Sequence, residues 1–171
     1  MGQYFKVANL DKKQVIDPHE FGDGLKLMEI GCSSNGTMLG LALLLRQSTG
    51  SGGGDFLAVG AHPVVGSWAG DRVTIVGDYD KSNQIATGQK KGELWDAFED
   101  TGEWEDISIE VVLAMCADHY VRGELANKAS FKWKRDADLK ATPHHPNPYP
   151  LDERIKVALW GRTPPLEEVE R

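Results

Sequence analysis

Tyr4-Phe-Lys-Val-Ala-Asn-Leu-Asp-Lys-Lys-Gln-Val-Ile16, closed by Asp17-Pro18, is the stretch on which the fold turns. Tyr4, Phe5, Val7 and Leu10 read as a first strand, and Asp11-Lys12-Lys13 as a turn. Gln14-Val15-Ile16 reads as the returning partner of a hairpin. Asp17-Pro18 stops it, because proline has no amide to give to a ladder. Working outward, Phe21-Gly-Asp-Gly24 leads into Leu25–Ile30, a segment open between a strand and a short helix capped by Asp23 and ended by Gly31. The helix is preferred.

Thr37 to Gln47 predicts a helix with Asn35 or Ser34 as its N-cap. Its apolar residues (Met38, Leu39, Leu41, Ala42, Leu43, Leu44, Leu45) cover nearly every face, which suits the middle of a fold. Gly40 costs about 1 kcal/mol relative to alanine inside a helix and points to a tightly packed neighbour. Asp71 to Tyr79 reads as a buried strand through Val73, Ile75 and Val76. Asn83 to Gly92 is polar loop, and Glu93 to Asp100 suits a short helix. Asp106 is placed to cap a second long helix reaching about Tyr120, with Ile109, Val112, Leu113 and Cys116 on one stripe, so that His119 would end it. Phe131, Trp133 and Arg135 alternate as an edge strand would.

Pro143 to Pro150 holds four prolines in eight residues and must be an extended connector. Ile155 to Trp160 beyond it is apolar enough to return as a strand, either on the same chain or on a second copy. The expected fold is therefore α+β. A small, mostly antiparallel sheet packs with two main helices, about 37–47 and 106–120. Residues 1–142 form one globular domain, and residues 143–171 form a Pro-rich connector whose segment 155–160 docks.

A chain of 171 residues can bury a sizeable core without metal or disulfide. The formal charge of −7 disfavours adhesion to nucleic acid and to anionic membranes. Phe131-Lys-Trp-Lys-Arg135 interleaves bases with aromatics as a single-strand platform would, but stands alone in an acidic chain. Met1 to Lys6 lacks the apolar core of a signal peptide. The longest apolar stretch, Met38 to Leu45, is far short of the ~20 residues a bilayer requires. Cys32 and Cys116 show no metal-ligand spacing and read as buried reduced thiols, in keeping with a cytoplasmic protein.

The chemistry-bearing residues cluster between 50 and 80, where eight glycines occur. Gly52, Gly53 and Gly54 before Asp55 read as an anion-binding nest or as a flexible loop. Gly31 to Thr37 has the glycine spacing of a phosphate loop without its lysine, leaving a plain anion site or ordinary capping. Asp78 and Asp80 could hold a divalent cation through oxygen ligands, or could simply end a strand in a turn. Trp68 with Asp71 and Arg72 could grip a polar ring or a carboxylate, since guanidinium binds bidentately and stacks. His62 is the best general-base candidate, with Asp71 and Asp78 the other catalytic candidates. His144-His145 lacks accompanying ligands.

Gly2-Gln-Tyr4, Asn9-Leu-Asp-Lys12, Gly24-Leu-Lys-Leu27, Gly52-Gly-Gly-Asp55, Gly66-Ser-Trp-Ala-Gly-Asp-Arg-Val73 and Gly77-Asp-Tyr79 together form a pattern. It resembles that of a family of small, functionally uncharacterised bacterial and fungal proteins. The resemblance covers residues 2 to 80 and the 104–121 helix. It implies a stand-alone domain and transfers no catalytic residue, substrate or cofactor.

Two functions fit these residues. The first is a cytoplasmic small-molecule or nucleotide-binding domain, or an enzyme, with Asp55, Trp68, Asp71, Arg72 and Asp78 on one shared surface. The second is a non-catalytic module that meets a protein partner through the glycine-rich loops and Pro-rich tail. Under either, the C-terminal segment could join two copies of the chain.

Overall fold

The computed structural model describes residues 2–33, 35–47, 62–80, 93–99, 102–127 and 152–161. The hairpin forms as β1 (Phe5–Asn9) and β2 (Gln14–Ile16), antiparallel with Val7 opposite Ile16. Lys13, at φ 53°, makes the left-handed step that closes its turn. β3 (Val73–Gly77) lies antiparallel on the other side of β1, from Phe5 opposite Gly77 to Asn9 opposite Val73. The two-residue β4 (Glu105–Asp106) adds to β2 in parallel, giving the order β3-β1-β2-β4. The sheet is small and mostly antiparallel, and the fold class is α+β.

The helices are α1 (Leu27–Gly31), α2 (Thr37–Leu45), α3 (Glu93–Glu99), α4 (Ser108–Met115), α5 (residues 119–127) and α6 (Glu153–Trp160), with a 3-10 turn at Pro18–Phe21. Strand alternation sends Val7 and Ile16 to one face of the sheet. There they join Phe21, Leu43, Leu44, Val111, Met115, Ile155 and Leu159 in the main core. Ala8 and Val76 face the other way and pack with Leu94 of α3, flanked by Phe98 and Trp104. The two aromatic rings meet edge to face with centroids 4.9 Å apart. Lys6 shares that second face, paired with Asp17 at 3.1 Å and 5.1 Å from the Trp95 ring centroid.

α2 meets the rest of the core through Gly40. A Cβ there would lie 2.5 Å from Phe21 Cε1 and 3.0 Å from Val111 Cγ1, which is the tight neighbour the sequence implies. The helix is not buried all round, since Met38 and Leu45 are exposed. The expected N-cap Asn35 is not used, and Ser34 lies outside the described residues. The cap position is Gly36, and Asp23 reaches in from the preceding loop. Its Oδ2 accepts from Thr37 N at 2.7 Å and from Thr37 Oγ1 at 2.8 Å.

Three further expectations are corrected. The helix expected over 106–120 is two, broken at residues 116–118. Asp106 does serve the first, accepting from Ser108 N at 2.8 Å. Asp118 starts the second by accepting from Tyr120 N at 2.9 Å and Val121 N at 3.1 Å, so His119 opens a helix instead of ending one. Residues 155–160 are helical, not extended. Asp152 Oδ1 accepts from Arg154 N at 2.7 Å to start α6, and Gly161 at φ 74° closes it. This helix packs on α4 of the same chain, with Ile155 and Leu159, one turn apart, in the core. Cys32 is exposed, whereas Cys116 is buried and its thiol is pushed up to about 11 by that burial.

Candidate functional site

The polar residues of the described 62–80 segment converge on the hairpin turn. Asn9, fully buried at the end of β1, accepts through Oδ1 from Asp11 N and Lys12 N, both at 3.0 Å. This is an Asx turn, which shapes the loop. Its Nδ2 donates to Asp71 Oδ2 at 2.8 Å. Lys12 Nζ lies 3.0 Å from the same oxygen and also donates to the Ser67 carbonyl. Arg72 turns back onto Asp11: its backbone N donates to Oδ2 and its Nε to Oδ1, each at 2.7 Å. The guanidinium Nη2 stands 2.6 Å from Oδ1.

These bonds set the electrostatics. The Arg72 hydrogen bond holds the Asp11 carboxyl below its usual range, and Asp11 in turn raises Arg72. Asp71 is lowered first by the Asn9 amide and then by Lys12. The lowered values make both carboxylates weaker bases than a free aspartate, which suits cohesion and not proton abstraction.

Trp68 is fully buried, with Nε1 donating to Gln14 Oε1 at 2.8 Å. Its backbone N donates to Leu44 O at 2.9 Å, two residues after Gly66 N meets Leu43 O at 2.8 Å. The indole therefore fastens the 66–72 segment between α2 and β2, and no ring face is left for a ligand. His62 accepts from Val64 N through Nδ1 at 3.4 Å, a local turn contact.

Asp78 and Asp80 stand at the opposite end of β3 from Asp71 and Arg72. Five strand residues at about 3.3 Å each keep the two pairs more than ~15 Å apart. The single shared surface expected for Trp68, Asp71, Arg72 and Asp78 is therefore not formed. Asp78 Oδ1 accepts from Tyr4 N at 3.1 Å. Asp80 accepts from Gly77 N at 2.7 Å and from Gln3 Nε2 at 2.9 Å. Both act as turn residues, and among the described residues no group of three or more His, Cys, Asp and Glu could hold a metal ion. The start of α2, where ordinary capping and a plain anion site were the two expectations, is capped by the Asp23 carboxylate. Gly52, Gly53, Gly54 and Asp55 lie outside the described residues, as do Phe131–Arg135, Pro143–Pro150 and His144-His145.

The sequence reading missed Asn9, Asp11 and Lys12 as partners of this cluster. The available signal was the Asn-x-Asp-Lys turn itself, since a buried asparagine at a strand end needs partners for its amide. A different feature stands out at the other end of the β1–β3 ladder. Tyr4 is 47% exposed, Leu27 50% and Met28 74%. Their segments adjoin, because Phe5 N donates to Leu25 O at 2.8 Å.

No family model matches the chain, and neither does any curated protein or solved structure. Among the described residues no helix is long and apolar enough to cross a membrane.

Proposed function

We propose that this chain is a non-catalytic protein-interaction module. The reading rests on one contrast. The described side chains that a ligand or reaction site would use, Trp68, Asp71, Arg72, Asp78 and Asp80, are engaged by groups of the same chain. Apolar side chains that could have been buried, Tyr4, Leu27 and Met28, face water in adjoining segments. Clustered exposed apolar residues of this kind mark contact sites for other proteins. Methionine suits such a surface because it adapts to an irregular partner. Two unpaired cysteines fit a reducing compartment, and the cytoplasm is the location this reading assigns.

The C-terminal segment is a weaker candidate for joining copies, since Ile155 and Leu159 are already covered by α4. Glycines 52–54 and Asp55 remain the seat of the competing ligand-binding reading.

Native mass spectrometry of the freshly purified full chain distinguishes the two readings. A module gives the mass of the bare chain, or of a multiple of it, with nothing else bound. It also gives a defined cross-linked protein when a photoreactive residue replaces Met28, and none when it replaces exposed Arg122. A co-purifying small molecule or metal ion, with no cross-link from position 28, would overturn the proposal.

A further inference from the structure

Among the described residues β3 ends the sheet, and its outer edge has a definite chemistry. Asp78 N donates to Tyr4 O at 3.0 Å and Leu10 N donates to Arg72 O at 2.9 Å. The even-numbered residues of β3 therefore turn their backbone groups toward β1. By alternation Val73, Ile75 and Gly77 turn theirs outward. Gly77 is taken: its N–H donates to Asp80 Oδ2 at 2.7 Å and its carbonyl accepts from Asp80 N at 3.1 Å. The outward N–H and C=O of Val73 and Ile75 have no partner among the described residues. Val73-Thr-Ile-Val-Gly77 carries none of the charges, prolines or bulges by which sheet edges are guarded, and Ile75 is 39% exposed.

We infer that this edge pairs with the same edge of a second copy, antiparallel about a two-fold axis at Thr74. In that register Val73 lies opposite the second copy's Ile75, and Ile75 opposite its Val73. All outward groups of both residues are then satisfied without disturbing the Gly77–Asp80 turn. Thr74 faces its own equivalent, and Val73 and Ile75 form two β-branched cross-strand pairs. The charges fit as well. Arg72, opposite Val76, falls diagonal to the second copy's Asp78, within reach of a long side chain. The Arg72 side chain is 70% exposed with Nη1 uncommitted by its Asp11 contacts, and Asp78 binds Tyr4 through Oδ1 alone. Two-fold symmetry supplies this contact twice. Because each copy carries a formal charge of −7, association strengthens as salt screens the repulsion.

Sedimentation velocity of the full chain, from micromolar to millimolar, tests the pairing together with amide hydrogen exchange. The expected result is a species of twice 18.8 kDa that grows with concentration and salt. Exchange at the Val73 and Ile75 amides slows in parallel, while Thr74 and Val76 are protected throughout. Ile75→Lys, which guards the edge with a charge, abolishes the dimer. Ile75→Pro, which removes the outward donor at a position whose amide gives no bond to β1, does the same, and both keep the wild-type circular dichroism. Met28→Ser leaves the dimer intact. A monomer at every concentration overturns the inference, leaving the edge to an unrelated extended peptide. A dimer that survives both Ile75 variants and is lost in Met28→Ser also overturns it, and would support the interaction surface proposed above. A monomer that still cross-links through position 28 refutes this pairing alone.

Discussion

Gly40→Ala sets two known effects against each other at one atom. Alanine in place of glycine inside a helix gains about 1 kcal/mol from backbone entropy. The added methyl carbon would stand 2.5 Å from Phe21 Cε1, 3.2 Å from Phe21 Cζ and 3.0 Å from Val111 Cγ1. Phe21 and Val111 are both buried in the main core, so neither the ring nor the valine can retreat into solvent. Overpacking of this kind costs ~1–3 kcal/mol. A buried contact of 2.5 Å belongs in the upper half of that range, so the clash should outweigh the propensity gain and the variant should lose roughly 1–2 kcal/mol. For a chain of this size that lowers the melting temperature by roughly 2–8 °C. Differential scanning calorimetry of Gly40→Ala beside Gly31→Ala reads the sign, because a Cβ at Gly31 meets nothing within 4 Å. Phe21→Leu in the Gly40→Ala background should return part of the loss, a coupling that independent sites would not show. If Gly40→Ala melts at or above the wild-type temperature, α2 does not pack on Phe21 as described.

Asp23→Ala removes both acceptor bonds at the start of α2 and should cost about 0.5–2 kcal/mol in urea unfolding, whereas Asn35→Ala, which loses only a 3.5 Å bond to Glu124, should shift the midpoint less. Asp11 and Asp71 have carboxyl groups held below the ordinary value of 3.8 in the folded chain. Their stabilising share is complete above that value and is lost only as the pH falls through the lower folded values. Chemical-shift titration should thus show both carboxyls protonating below 3.8, with acid unfolding beginning later in wild type than in Asp71→Asn. Truncation before Asp152 strips Ile155 and Leu159 from the core. At ~1.5–3 kcal/mol for each buried side chain, it should markedly lower the melting temperature and promote aggregation, and an unchanged melt would show α6 to be dispensable.

What the sequence disclosed follows from the range of the interactions. The β1–β2 hairpin was legible because its strands, turn and stop lie within the fifteen consecutive residues Tyr4–Pro18. Gly40 was legible because a glycine amid leucines weakens its own helix unless a close neighbour needs the space. α6 was not, because Ile155, Val157 and Leu159 alternate as a strand would. The deciding residues were Asp152 and Gly161, which start and stop a helix across just this span. The split between α4 and α5 had the same kind of signal in Asp118, obscured by apolar residues on both sides. The cluster around Asp71 was beyond reach for another reason. Asn9 and Asp71 are 62 positions apart, and Asp11 and Arg72 are 61 apart. Nothing local marks such partners, so Asp71 and Arg72 looked free for a ligand.

The aspartates explain why a charged, glycine-rich chain can look like a catalyst and be built as a scaffold. Asp11, Asp17, Asp23, Asp78, Asp80, Asp106, Asp118 and Asp152 each accept a bond from a backbone N–H. Each does so where a strand or helix begins or ends, the places at which amides lack an in-element partner. A short carboxylate suits this work: Asp17, Asp80, Asp106, Asp118 and Asp152 reach an amide two or three residues away, while Asp11, Asp23 and Asp78 reach one held close by the fold, all without losing much side-chain freedom. Asparagine keeps the same reach and acceptor oxygen, while glutamate is one methylene too long. A capping role therefore tolerates Asp78→Asn better than Asp78→Glu. A metal-binding role would reverse that order, because charge would then matter more than reach. Melting temperatures of the two variants, with and without millimolar Mg²⁺, decide between these roles: the lower melt belongs to Asp78→Glu if the carboxylate is a cap, and to Asp78→Asn, only with metal present, if it is a ligand.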